Sequence, residues 1–311
     1  MGLIKIFGHK NKPLNSEVVI VPINWTLNST FDFDKHLRPI LNYSNEIELF
    51  HEFYGFQEKC KIACENVSGE TSLWNKSINR IYEEAQNGTF DGSSIHLINE
   101  DFKKLTSFLD EKIEYWIQKE KLPLLIGGDS SLLLGSVKAV ARFKTNFGIL
   151  HLSEKPFLKE LKKGEAITEG NSLFSVGASV PEVSKIVAVG LSSFSQQEYS
   201  IQRQNKEKII WFSKRKINNY KFKGDSYQSI CKKWINNLPE FVYLSINVSI
   251  LKVLSIEEIE FALQTLIDSR RKIVGVDFNG VENEVGKEKQ IQMTRLLYIV
   301  CKSYGRSRGK V

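Results

Sequence analysis

The sequence has 311 residues, 41% hydrophobic and 25% charged, proportions that supply a sizeable core and exclude a disordered or low-complexity chain. Lys and Arg total 43 against 36 Asp and Glu, giving a formal charge of +7. This mild surplus is scattered (Lys5, Lys10, Lys103, Lys104, Lys162, Lys163, Lys214, Lys216, Arg306, Arg308), unlike the concentrated basic face of a nucleic-acid binder.

In chain order, the N-terminal stretch carries no apolar run of signal-peptide length. Its Gly2 is followed at position 6 by Ile6, which breaks the myristoylation pattern. The first predicted strand is 18–21. Cys60 and Cys64 follow, four residues apart; with Cys231 and Cys301 they form no C-x-x-C pair and no zinc set. Few cysteines without disulfide-like spacing predict a reducing compartment, the cytoplasm. His96 and Asp101 flank a possible helix start, with Asp101 expected as its cap. The helix predicted over 101–121 places Phe102, Leu105, Phe108, Leu109, Ile113 and Trp116 on one stripe. Further strands are predicted at 122–126, 147–152, 185–189, 208–212, 241–246 and 272–278. They are apolar on both faces, as strands of a parallel sheet covered on both sides are. Helices are predicted at 131–143, at 255–269 with a capping box of Ser255 and Glu258, and at 287–304. No stretch approaches the roughly 18 apolar residues that span a membrane. The alternation predicts a three-layer α/β/α sandwich with a mostly parallel, doubly wound sheet, one domain over 1–304 and a loose basic tail over 305–311.

Ligands of such folds bind beyond the carboxyl ends of the strands, so the strand ends carry the functional reading. The segment LPLLIGGDSSLLLGSVKAVA, starting at Leu122, resembles the G-G-D-H-S segment of the ureohydrolases, the arginase and agmatinase family. FGILHLSEKPF resembles the segment ending D-A-H-x-D, FVYLSINVSI the segment Y-x-S-x-D-x-D, and KIVGVDFNGVE the closing strand with its D-x-N-E-V pattern. Upstream, VIVPINWTLNSTFDFDKHLRPILNYSNEIELF is similar to the family's first strand and loop, and KIVAVGLSSFSQQE to its V-x-V-G-I-R strand. The order and spacing agree from about Val18 to about Tyr304, closest to agmatinase-like proteins.

The resemblance implies hydrolysis of a guanidino compound by two manganese ions that activate a water. Carried over position by position, its ligands are replaced. The histidine of G-G-D-H-S is Ser130; the three ligands of D-A-H-x-D are Ser153, Lys155 and Phe157; the two aspartates of D-x-D are Asn247 and Ser249; and the guanidinium-binding glutamate of N-E-V is Gly280. No histidine lies between Pro156 and Pro181 to supply the family's His-Gly loop. Hard divalent ions need carboxylate oxygens and imidazoles, and Lys155 adds a positive charge. The expectation is therefore a non-catalytic protein without a cofactor. It would act as a structural or regulatory partner, as a homo-oligomer or with an active ureohydrolase paralogue, and not on nucleic acid or membrane. The alternatives are a small-ligand module in the emptied pocket, which Lys155, Asn247, Ser130 and Ser249 would bias toward anions, and a linear-amidine hydrolase with a rebuilt site.

The remaining candidates read structurally. His151 is expected as a core histidine. Asp129 is expected to bond backbone at the strand–helix turn, and Glu282 and Glu284 to be solvated. Ser130 lacks the G-x-S-x-G setting and base of a nucleophile. Lys155 is either an ammonium plug paired with Asp129, Glu154 or Asp277, or a solvent-facing side chain.

Overall fold

A computed structural model describes residues 3–8, 10–27, 33–47, 60–84, 92–161, 167–281 and 286–310. The predicted loop positions Glu282 and Glu284 and the 48–50 end of the upstream family segment lie outside these residues.

The apolar runs of the sequence become strands β1 (Val18–Ile23), β2 (Ile62–Cys64), β3 (Leu122–Gly127), β4 (Phe147–Leu152), β5 (Val183–Leu191), β6 (Ile209–Ser213), β7 (Phe241–Asn247) and β8 (Lys272–Asn279). They form one sheet in the order β2-β1-β3-β8-β7-β4-β5-β6, and each neighbouring pair is parallel. The helices are α1 (Phe33–Tyr43), α2 (Gly69–Glu84), α3 (Gly92–Gln118), α4 (Leu133–Ala141), α5 (Ser172–Ser179), α6 (Gln196–Gln204), α7 (Lys214–Phe222), α8 (Tyr227–Ile235), α9 (Ile256–Asp268) and α10 (Lys287–Ser307). No described helix is long and apolar enough to cross a membrane.

Strand side chains alternate between two cores. Val18 and Ile20 of β1, with Leu122, Leu124 and Ile126 of β3, pack with α1, α8, α9 and α10. Val19, Val21 and Ile23, with Leu125, pack with α2, α3, α4 and α5. The period of two sends successive residues to opposite faces. Each fully buried Leu, Ile or Val contributes about 1.5–3 kcal/mol, so the sheet is held by two apolar layers that do not depend on what the strand ends carry. The predicted α/β/α architecture is the one observed.

Three boundaries differ from expectation by three residues or more. α3 starts at Gly92, so His96 and Asp101 lie inside it. Asp101 is not a cap; it pairs with Lys104 one turn on, at 2.8 Å. The helix ends at Gln118, before Glu120 takes a left-handed backbone (φ 57°). At the other terminus α10 continues through Gly305, which is buried, to Ser307. The Ile273 N–H donates to Ser307 Oγ at 3.1 Å and Arg308 Nη1 donates to the Ile273 carbonyl at 3.3 Å. The expected loose tail is thus partly helical and docked at the start of β8. The sequence reading also passed over β2, α1, α2 and the helices from α5 to α8.

The strand order places the carboxyl ends of β3, β8, β7 and β4 side by side in the middle of the sheet. The four segments that carried the family resemblance meet there.

Candidate functional site

The turn after β3 is built by glycine and a cap. A Cβ on Gly127 would collide with the Leu132 side chain. Asp129 then caps the short 3-10 helix Ser130–Leu132: its Oδ1 accepts from the Ser131 N–H at 2.8 Å and its Oδ2 from the Leu27 N–H at 2.8 Å. Trp25 Nε1 donates to Ser131 Oγ at 3.1 Å. Asp129 thereby ties the β3 turn to the loop after β1, the backbone role expected of it. Burial pushes its carboxyl above the ordinary range, while these hydrogen bonds pull the other way.

The floor of the site lies over the strand ends. Ser130 Oγ donates to Asn279 Oδ1 at 2.7 Å. Asn247 Nδ2 donates to Asn279 Oδ1 at 3.0 Å, with Ser130 Oγ and Glu169 Oε1 each at 3.3 Å. Asn247 Oδ1 accepts from the Ser249 N–H at 3.0 Å. Asn279 Nδ2 donates in turn to Asp277 Oδ2, which also accepts from Ser245 Oγ at 3.1 Å. Ser130, Ser245, Asn247, Asp277 and Asn279 are all buried. Burial raises the Asp277 carboxyl to about 7, ahead of the lowering effect of its hydroxyl partners.

His151 is fully buried beside this floor. Its Nε2 faces the Lys155 carbonyl at 3.1 Å and its Nδ1 faces Ser245 Oγ at 3.2 Å. A carbonyl only accepts, so the proton sits on Nε2, and Nδ1 lies beside a hydroxyl whose single proton goes to Asp277. Burial lowers its pKa to about 4, so it is a neutral core imidazole held through Nε2.

The segment after β4 folds away from metal-ligand geometry. Ser153 Oγ accepts from the Lys155 N–H at 3.1 Å, and Ser249 Oγ accepts from the Glu154 N–H at 3.2 Å. Phe157 takes a left-handed backbone (φ 49°) and packs edge-on against His151, ring centroids 5.5 Å apart. Gly280 also has positive φ (78°), and a Cβ there would stand 2.6 Å from Asn247 Cγ. With Asn247 so placed, no glutamate fits at position 280.

Of the two readings of Lys155, the structure fits the solvent-facing side chain. Its side chain is exposed, and none of the three expected partners forms an ion pair with it. Glu154 pairs with Lys252 at 3.5 Å and accepts from Ser192 Oγ at 2.9 Å. Asp129 is committed to the β3 turn, and Asp277 is hydrogen-bonded within the floor. The reason is local: the Lys155 carbonyl turns inward to His151 and its N–H to Ser153, leaving the side chain at the rim.

Sequence reading missed Glu169. It opens a one-turn 3-10 helix (Glu169–Asn171) behind a capping box of Thr168 and Asn171. A T-x-x-N signal marks the turn in the sequence, but nothing in that stretch points to the site. Glu169 is half-buried. Its carboxyl is raised to about 7, chiefly by burial and then by the Asp129 carboxylate, against the lowering effect of Lys155. Two adjoining cavities of about 290 and 610 Å³ share Leu27, Asp129, Lys155, Phe157 and Glu169. The larger reaches Lys159 and Phe194. The pocket thus holds acidic groups as well as the Lys155, Asn247 and Ser249 from which an anionic-ligand bias was expected.

The donor set does not fit two manganese ions. The six positions offer hydroxyl, amide, ammonium and phenyl groups where hard cations need carboxylates and imidazoles, and the Ser130 and Asn247 donors are bonded to each other or to Asn279. Among the described residues no group of three or more His, Cys, Asp or Glu side chains could hold a metal ion.

Comparison with known proteins gives the same frame. The arginase family model matches residues 63–256. An uncharacterised 32.2 kDa protein of Methanothermus fervidus is 21% identical over 220 residues, covering 67% of this chain and 73% of that one. The agmatine ureohydrolase of Thermoplasma volcanium superposes with a TM-score of 0.70 at 12% identity, over 99% of this chain and 97% of that one. Proclavaminate amidino hydrolase of Streptomyces clavuligerus gives 0.69 at 13%, over 94% and 93%. Arginase of Bacillus cereus gives 0.65 at 18%, over 93% and 98%.

Proposed function

The chain belongs to the arginase family, and we propose that it is a non-catalytic member, a ureohydrolase fold kept as a structural or regulatory partner. The observation that carries this reading is the floor network. Ser130 and Asn247, at two of the family's ligand positions, hydrogen-bond to each other and to Asn279 at 2.7–3.3 Å. Such a floor is closed by its own neutral partners, and opening it to a cation would leave buried donors unsatisfied. No carboxylate or imidazole stands at any of the six positions, so no step of metal-assisted hydrolysis is assigned to these residues. The partner in this reading is a second copy of the chain or an active ureohydrolase paralogue, and the setting is cytoplasmic.

The test is urea release from agmatine and from arginine with manganese supplied. The expected result is no release above a protein-free blank; sustained turnover would overturn the reading. Light scattering tests the assembly: a monomer at all concentrations that captures no ureohydrolase would remove the partner role.

The cavity supports a second reading, a small-ligand-binding module. About 610 Å³ is within the range of small-molecule sites, and the charged groups on its wall, unlike the floor, face open space.

A further inference from the structure

The charged groups around the two adjoining cavities differ in how far their hydrogen bonds and ion pairs commit them. Asp129 accepts from Leu27, from the Ser131 N–H and from the Ser131 hydroxyl. Glu198 accepts from the Leu158 N–H at 3.2 Å and holds the capping box of Ser195 at the start of α6. Glu154, on the smaller cavity, is paired with Lys252. Glu169, Lys155 and Lys159 remain, and among the described residues none of them takes part in an ion pair. Glu169 stands on the inner wall; Lys155 and Lys159 are exposed at the rim. The same cavity is lined by the ring of Phe157, which is buried, and the ring of Phe194, which is exposed. Of these three charges the carboxyl is the less exposed and the two ammonium groups the more exposed, with two aromatic rings on the same lining.

We propose that this cavity binds an ω-amino carboxylate, its ammonium at Glu169, its alkyl chain along Phe157 and Phe194, and its carboxylate at Lys155 and Lys159. The proposal rests on the ligand-binding reading above and names the chemical class.

The head group follows from the acceptor geometry. A guanidinium needs a planar, two-pronged acceptor. Position 280 is a glycine whose side-chain space is taken by Asn247, so no fork is offered there. Glu169 has already given acceptor capacity to Asn247 Nδ2 and to the Ser130 backbone N–H. What remains is a point-like acceptor, which suits a compact ammonium with three rotatable donors. The tail follows from the rim, where two unpaired ammonium groups would repel a bare cation and receive a carboxylate. Proton linkage supports the assignment. A cation beside Glu169 favours its charged form, so binding below about pH 7 releases a proton, and affinity rises with pH through that range.

The experiment is isothermal titration calorimetry on the full chain with 6-aminohexanoate, repeated near pH 6 in two buffers of different ionisation enthalpy. The expected result is saturable binding with proton release, about tenfold or more tighter than hexanoate, hexylamine or 6-guanidinohexanoate. Glu169→Gln should lose about tenfold in affinity and the proton release. The double variant Lys155→Met with Lys159→Met sits on the exposed rim and tests the site even where Glu169→Gln fails to fold. It should bring 6-aminohexanoate down to the affinity of hexylamine and leave hexylamine no weaker. Absence of binding, tighter binding of the guanidino compound, or unchanged affinity in the rim variant would overturn the proposal. None of these outcomes involves urea release, so failure here is distinct from failure of the non-catalytic reading.

Discussion

The floor and the inner wall of the site lie side by side and treat polar burial in opposite ways. On the floor, Ser130, Asn247, Asn279 and Ser245 satisfy one another around a single carboxyl, Asp277. On the wall, Glu169 faces a cavity with Lys155 and Lys159 at its rim. A network of neutral groups in the interior costs little when each donor has an acceptor, and it leaves nothing for a ligand. Charged groups at a cavity keep their capacity to interact. The neutral floor is closed on itself; beside it, charge and room persist together.

The comparison breaks most severely at Asn279, the hub of the floor. Asn279→Leu removes the acceptor of Ser130 and Asn247 and the donor to Asp277. It should lower stability by about 2–4 kcal/mol in urea unfolding. A change within about 0.5 kcal/mol would show that the network is not holding the strand ends.

Asp277 tests what the one floor carboxyl costs. Its pKa is about 7 in the folded chain against 3.8 ordinarily. The folded state thus binds more protons than the unfolded state between these values, and this group's contribution to stability falls as pH rises from about 4 to 7. His151, lowered to about 4, acts in the opposite sense up to 6.5. The difference between wild type and Asp277→Asn isolates the carboxyl. It should favour the variant increasingly from pH 4 to 7 and then level off. Parallel unfolding curves would contradict the assignment.

Glu169→Gln should show the same sign with a smaller amplitude, because Glu169 is half-buried at a cavity. Its window runs from 4.5 to about 7. An amplitude equal to that of Asp277→Asn would erase the distinction between floor and wall. Lys155→Met should change stability least, within about 0.5 kcal/mol, since its side chain is exposed. A loss of about 1–3 kcal/mol would restore the paired, buried ammonium.

The sequence was most readable where the pattern was repetitive. The strand 147–152 was placed to the residue, and β3, β7 and β8 to within one residue at each end, because a strand buried on both faces reads as a continuous apolar run between turns. The helices from α5 to α8 are short, and the polar surfaces of α6 and α7 dilute their periodicity. At the site, motif order located Ser130, Ser153, Lys155, Phe157, Asn247, Ser249 and Gly280 at the strand ends. It did not reveal that Asn247 would fill the space over Gly280 or that the Lys155 carbonyl would bond His151, since both depend on side chains meeting across strands. Glu169 escaped because its importance comes from the β4–α5 connection folding back over the floor, not from its own neighbours in sequence.

The central claim, that these strand ends have exchanged a cation cluster for a neutral network, is tested most directly by metal content. Protein purified in manganese-containing buffer and then desalted should be assayed by elemental analysis. The donor set predicts manganese far below one ion per chain. A pair of manganese ions per chain, retained through desalting, would contradict it.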